Sequence, residues 1–295
     1  MRHTMENEAI AVTVDSLGAE LVSVVDKATG AEMIWEGRKD VWPRHAPILF
    51  PYCGKLRNGQ YTLDGQTYTG GQHGFGRDVE HSFQGTEGNA MRFVLRANEA
   101  TLAKFPRDFA LESTFTLEGR TLCQTITVTN TGDRELRFGF GFHPGFTLPF
   151  DETHVTEDYE FRFDAPQTPV VIETDPSVGL VTGNTRVLMT DSAAIPMDDR
   201  MFDHDSICMS RLTAKTLSVV EKDTGRRIDV DLEGFPYTLI WSAVGNPQLH
   251  FVCIEPWHSL PDTVTASGDW NEKPCAAALA PGEVWRTCLK MTFQR

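Results

Sequence analysis

The sequence predicts an all-β protein, one large antiparallel β domain over residues 1–295, and three observations carry that expectation. Apolar and polar residues alternate with a period of two in segment after segment, the pattern of half-buried strands. Tight-turn dipeptides punctuate those segments. No stretch sustains the 3.6-residue period of an amphipathic helix, and none is of low complexity or linker-like. A chain of this length exceeds a single small sandwich.

In chain order, "AIAVTV" alternates at Ile10, Val12 and Val14. "DKATGAEMIW" then turns at Thr29-Gly30, and "YTLDGQTY" carries Asp64-Gly65 between two short strands, a strong hairpin signal. "FALESTFTL" alternates at Phe109, Leu111, Ser113, Phe115 and Leu117; "CQTITVTN" sets Gln124, Ile126 and Val128 against Thr125, Thr127 and Thr129. "EKDTGRRIDV" repeats the earlier turn at Thr224-Gly225, although two similar turns do not establish an internal repeat.

One strand is unusual. In "RFGFGFHPGF" and the Leu136 before it, Leu136, Phe138, Phe140 and Phe142 alternate with Arg137, Gly139, Gly141 and His143. Glycine weakens a strand and marks a bulge or the close approach of another group. The expectation is that Gly139 and Gly141 clear room for a substrate beside His143.

Composition narrows the function. The net charge of −14 argues against binding nucleic acid or an acidic membrane surface by bulk electrostatics, although a local basic pocket stays open. "MRHTMENEAIAV" lacks the apolar core of a signal peptide and no apolar run approaches membrane-spanning length, so a cytoplasmic protein is expected. The six cysteines form no CxxC pair, and Cys123, Cys208, Cys253 and Cys288 sit in apolar strand-like runs. Buried free thiols are expected, not a disulfide framework. The expected partner is a small molecule, with the chain a monomer or weak homodimer.

Reactive side chains concentrate in three places. "PYCGKLRNGQY" and "GGQHGFGRD" supply Lys55, Arg57, His73, Arg77 and Asp78; the glycine-rich strand supplies His143; "HFVCIEPWH" supplies Glu255 beside Trp257. His143 and Glu255 both precede proline, so each is expected where its strand ends. Polar groups on a rigid sheet's rim are where sites tend to form. His73 has the alternative of a turn residue bonded to backbone. Glu255, after four apolar residues, needs a partner or a raised pKa, and a structural arginine would also serve. Arg77 either pairs locally with Asp78 or binds an anionic group.

Other templates fit less well. Proline takes the third glycine's place in "GFGFHPG" and no helix follows, so it is not a dinucleotide loop. There is no GxSxG elbow. His73, His143 and Glu255 match the composition of a two-histidine, one-carboxylate metal face, but their separation in sequence does not establish one, and no metal is expected.

Together, "PILFPYCGKLRNGQY", "QHGFGRD", "FGFHPGF" and "FVCIEPW", in this order, resemble the aldose 1-epimerase (galactose mutarotase) family, and its LacX-like branch most closely. The resemblance spans roughly residues 10 to 290. It implies an antiparallel β-supersandwich with a sugar-binding cleft, His143 as catalytic acid, Glu255 as catalytic base and His73 as a second histidine contacting the sugar. The family's Asn-Arg pair is here Asn58-Gly59, so Arg57 or Lys55 is expected to substitute. The aspartate that grips sugar hydroxyls is expected in "MFDHDSI", at Asp205 in preference to Asp203. Trp257 either stacks on the sugar or belongs to the core. The implied reaction interconverts the α and β anomers of a hexose without metal or organic cofactor. The alternatives are a hexose phosphate as substrate, with Arg77 and Arg57 on the phosphate, and a non-catalytic sugar-binding or sensing protein.

Overall fold

The structure, a computed structural model, describes residues 1–245 and 248–295. Two large antiparallel sheets dominate it. The nine-stranded sheet runs Ser192–Pro196, Tyr159–Gln167, Thr216–Glu221, Arg227–Asp231, Val284–Gln294, Thr121–Asn130, Phe109–Glu118, Ala90–Arg96, Ser82–Glu87. The eight-stranded sheet runs Leu180–Val187, Val170–Asp175, Ile207–Ser210, Tyr237–Trp241, Phe251–Trp257, Gly141–Phe142, Ile48–Leu49, with Gly145–Thr147 also paired to Phe251–Trp257. Arg2–Glu6, Ile10–Asp15 and Glu20–Asp26 form a three-stranded sheet. This is the antiparallel supersandwich that the resemblance implied.

The alternating segments fold as their periodicity requires. Phe109–Glu118 and Thr121–Asn130 pair in register, Leu117 facing Leu122, and bury every second residue. Asp64 and Gly65 both take positive φ, 53° and 77°, the backbone of a two-residue hairpin turn joining Gln60–Leu63 to Gln66–Thr69. One contiguous apolar core runs from Met5 to Phe293. Within it Phe138 and Phe140 pack against Trp285 of the nine-stranded sheet, with ring centroids 5.4 and 5.7 Å apart. Among the described residues the only α-helix is the single turn Glu99–Leu102, capped by Asn98, and no helix is long and apolar enough to cross a membrane.

Two expectations need correction. "RFGFGFHPGF" is not one strand but three short ones: Leu136–Phe138, which pairs with Ala277–Leu279, then Gly141–Phe142 and Gly145–Thr147. Cys123 and Cys288 are half-buried and joined as a disulfide. Their strands are neighbours, with Cys123 facing Lys290 and Thr125 facing Cys288, so the cysteines are diagonal on one face. A sequence separation of 165 hid that adjacency. Cys53, Cys208 and Cys253 are buried free thiols as expected.

Candidate active site

The site is built on a break in the eight-stranded sheet. Gly141 pairs with Trp257 and Gly145 with Cys253, both across the same ladder. His143 lies midway between the two glycines and Glu255 midway between their partners, so His143 and Glu255 hold facing positions. Their side chains meet with Nε2 3.3 Å from Oε2.

Proline makes the break, though not as expected. Glu255 does not end its strand; Phe251–Trp257 runs on through Pro256. His258 donates its backbone N–H to Phe140 and His250 accepts from Leu148. Even-numbered residues of this strand therefore turn their backbone towards residues 140–148, and Pro256's missing donor falls there. Pro144 lacks a donor too, and the neighbouring strand lifts away at His143-Pro144. A proline is tolerated inside the sheet because the ladder on its N–H side is already open.

A transverse row of cross-strand partners floors the cleft. Ile172 faces Cys208, Cys208 faces Leu239, and Leu239 faces Glu255, which faces His143. All five line one cavity of about 730 Å³, which His73, Lys55, Arg77, Asp205 and Trp257 line as well. On the opposite face of the same strands, Phe142, Ile240 and Ile254 enter the core. One sheet thus supplies both core and site, by alternation alone.

The glycines act at one remove from any ligand. A Cβ at Gly141 would lie 2.6 Å from Trp257 Cδ1 and 2.9 Å from Cys53 Sγ; one at Gly139 would lie 2.2 Å from Ser259 Oγ. The room they clear is filled by protein, which corrects the expectation that a substrate fills it. A Cβ at Gly145 would meet Trp42 at 2.9 Å. Trp257 and Trp42 are the aromatic walls that this clearance admits: Trp42 stacks on His143 at 4.9 Å, and Trp257 meets His73 edge-on at 5.6 Å.

Burial governs the charges. It pushes Glu255 well above the usual carboxylate range, reinforced by Asp205, while Trp257 and Arg77 pull weakly the other way. Burial, then Arg77, brings His143 down from 6.5 to about 3. The buried His143 Nδ1 and Glu255 Oε2 have no hydrogen-bond partner, since the 3.3 Å contact is not aligned as a hydrogen bond. Buried polar atoms are rarely left so without a reason. His73 is held well below its usual value by burial, then by Arg77 and His143. Its Nδ1 accepts the Gly54 backbone N–H at 2.9 Å, so the neutral ring carries its proton on Nε2, which the Gln72 side-chain amide meets at 3.1 Å. His73 is therefore both the backbone-bonded turn residue, with φ of 69°, and part of the cleft wall.

The remaining residues divide. Arg57 lies outside the cleft: its Nη1 donates to the Ala266 carbonyl at 2.7 Å, and it lines a separate small depression. Lys55, the other candidate, reaches the cleft from the same loop and packs against Gly179. Asp203 and Asp205 both line the cleft, but Asp203 is tied to Arg200 at 2.9 Å, whereas Asp205 acts electrostatically on Glu255. Arg77 does not pair with Asp78, whose carboxylate is taken by Arg44. One Arg77 nitrogen donates to the Gln72 carbonyl at 3.0 Å, and its Nε is buried without a partner. Trp257 is both core and wall, 4% exposed and packed on Leu49, Cys53, Cys208 and Leu239. Sequence reasoning missed Trp42, Trp241 and Arg44. Trp42, like His143 and Glu255, stands directly before a proline, and that shared signature was the available signal.

The family model for aldose 1-epimerase matches residues 1–292. Protein LacX (plasmid) of Lactococcus lactis subsp. lactis is 28% identical over 296 residues, covering 98% of each chain. A galactose mutarotase related enzyme from Lactobacillus acidophilus superposes with a TM-score of 0.94 at 32% identity, covering 100% of this chain and 98% of its own. A galactose mutarotase-like protein from Lactobacillus casei ATCC 334 gives 0.91 at 29% identity, with 100% of both chains covered.

Proposed function

The chain belongs to the aldose 1-epimerase family, and on that premise we propose that it interconverts the α and β anomers of a hexose by general acid/base ring opening. Glu255 removes the proton from the anomeric hydroxyl and His143 delivers one to the ring oxygen. The C1–O5 bond breaks as C1 becomes the aldehyde carbon. Rotation about C1–C2 presents the other face of the aldehyde, and the reverse transfers close the ring. The observation that carries this reading is the facing pair itself, His143 Nε2 3.3 Å from Glu255 Oε2 on the floor of the cleft.

The proton inventory supports it. Neutral imidazole with carboxylic acid, and imidazolium with carboxylate, contain the same number of protons. Burial favours the neutral form, and one proton hop across the 3.3 Å contact yields the donor and acceptor the reaction needs. Each well-placed proton transfer contributes about 10²–10⁴-fold. His73 offers its Nε2–H to a sugar oxygen, Asp205 accepts from sugar hydroxyls, and Trp42 and Trp257 present apolar faces to the ring.

A hexose phosphate is the second reading, favoured by one observation. Arg77, free of Asp78, shares a cleft with Arg44 and Lys55. Arginine suits the bidentate geometry of phosphate. Polarimetry on freshly dissolved α-anomers of free and phosphorylated aldoses tests both readings. Accelerated mutarotation of at least one sugar is expected; no acceleration across the panel would leave the sugar-binding or sensing alternative.

A further inference from the structure

Beneath the acid/base pair lies a third donor that the proposed chemistry does not use. Cys253 precedes Glu255 by two positions on the same strand, so its side chain points to the same face. One ligand atom from each of His143, Cys253 and Glu255 lies within 4.8 Å of the other two, and all three residues are buried. We propose that these three side chains form an inhibitory zinc(II) site, in which the metal clamps the acid and the base together and leaves a fourth position open to the cleft.

The geometry and the donor set both point to zinc. Imidazole nitrogen, thiolate sulfur and carboxylate oxygen are its usual protein ligands, at about 2.0–2.3 Å in tetrahedral arrangement. The ligand-to-ligand edge of such a tetrahedron is about 3.4 Å for nitrogen and oxygen and about 3.6 Å where sulfur takes part. His143 Nε2 and Glu255 Oε2 already stand 3.3 Å apart. Drawing the sulfur in from at most 4.8 Å takes a side-chain adjustment of about 1 Å. Glu255 Oε2 is buried and without a hydrogen bond, so binding forfeits no internal bond there. The second cluster of this kind, Asp151 with His154 and Glu221, differs in just this respect: Arg226 already bonds both carboxylates.

Binding releases protons and changes no oxidation state. Zinc replaces the thiol proton of Cys253 and the carboxyl proton of Glu255, both of which pass to solvent, and takes a lone pair from neutral His143. Affinity therefore rises with pH. The inhibition rests on His143 and Glu255 being the acid and base; the binding does not.

Calorimetric titration of the full chain with zinc chloride is the test, alongside Cys253→Ser and a Cys275→Ser control at the half-buried thiol. One equivalent is expected to bind to the parent chain and the control, and at least about 10-fold more weakly to Cys253→Ser. Zinc inhibition of mutarotation, relative to each protein's own zinc-free rate, should weaken in step. Should Cys253→Ser fail to fold, cobalt(II) added to the parent chain must show a thiolate-to-metal charge-transfer band. No binding, binding unchanged by Cys253→Ser, or cobalt without the thiolate band would overturn the site. Binding in a chain that shows no mutarotation would uphold the site and count against the mutarotase reading alone.

Discussion

His143 and Glu255 face each other across a ladder that is paired on both sides of them, at Gly141 with Trp257 and at Gly145 with Cys253, and open only where Pro144 and Pro256 leave it without donors. The arrangement fixes two ionisable side chains at one spacing by the register of the paired residues on either side. It also buries both, and burial sets how they titrate.

The pH profile should reflect that. The pair is active while it holds one transferable proton. Acid adds a second proton to the pair only below the depressed His143 value of about 3, and alkali removes the last one only above the raised Glu255 value. The profile of kcat/KM should thus be a broad bell whose acid limb lies well below 6.5, with limbs that belong to the pair and not to either residue. An acid limb at 6.5 measured by polarimetry would show that the cleft does not desolvate His143.

Gly141→Ala tests the clearance that admits Trp257. Its Cβ would lie 2.6 Å from the indole, forcing a buried wall to shift. A loss of about 1–3 kcal/mol in stability is expected from chemical denaturation, with a fall in activity beyond it. Gly183→Ala, which meets nothing within 4 Å, should cost stability through its positive φ and leave activity unchanged.

Arg77→Ala separates the two substrate readings. Since Arg44 and not Arg77 holds Asp78, the variant should stay folded. Activity on a hexose 6-phosphate should fall more than on the free hexose if the guanidinium meets phosphate. Equal losses would assign Arg77 to the sugar itself or to the field at His143.

Acid should destabilise the fold well above the carboxylate range. His81 and His258 titrate near 4 in the folded chain, and His73 and His143 are also depressed, all from 6.5. The unfolded chain binds more protons between those values, so stability falls as pH drops from 6.5 towards 4. Glu255 works oppositely, its raised pKa favouring the folded state at low pH. By pH ~5, His81 alone accounts for on the order of 2 kcal/mol. Thermal melts should show this slope, and His81→Gln should flatten it.

The fold was largely legible because period-two alternation and turn chemistry are local signals: Ile10, Val12 and Val14 are fully buried, and Asp64-Gly65 turns as its residues require. The facing of His143 and Glu255 was not, since register between strands more than 100 residues apart depends on the whole sheet; the two prolines were the local trace of it. Gly139 and Gly141 make room, but what fills it, Ser259 and Trp257, comes from a segment more than 100 residues away. Arg57 and Lys55 were indistinguishable in sequence because they share one loop, and the Ala266 carbonyl that holds Arg57 away lies more than 200 residues on.

The most direct test of the acid/base pair is the mutarotation rate of Glu255→Gln, followed by polarimetry on the best α-anomer. The amide is nearly isosteric, so fold and sugar binding should persist while the proton acceptor is lost. The expected result is a fall in kcat of at least about 10²-fold with a smaller change in KM. Near-parental kcat in Glu255→Gln would contradict the account.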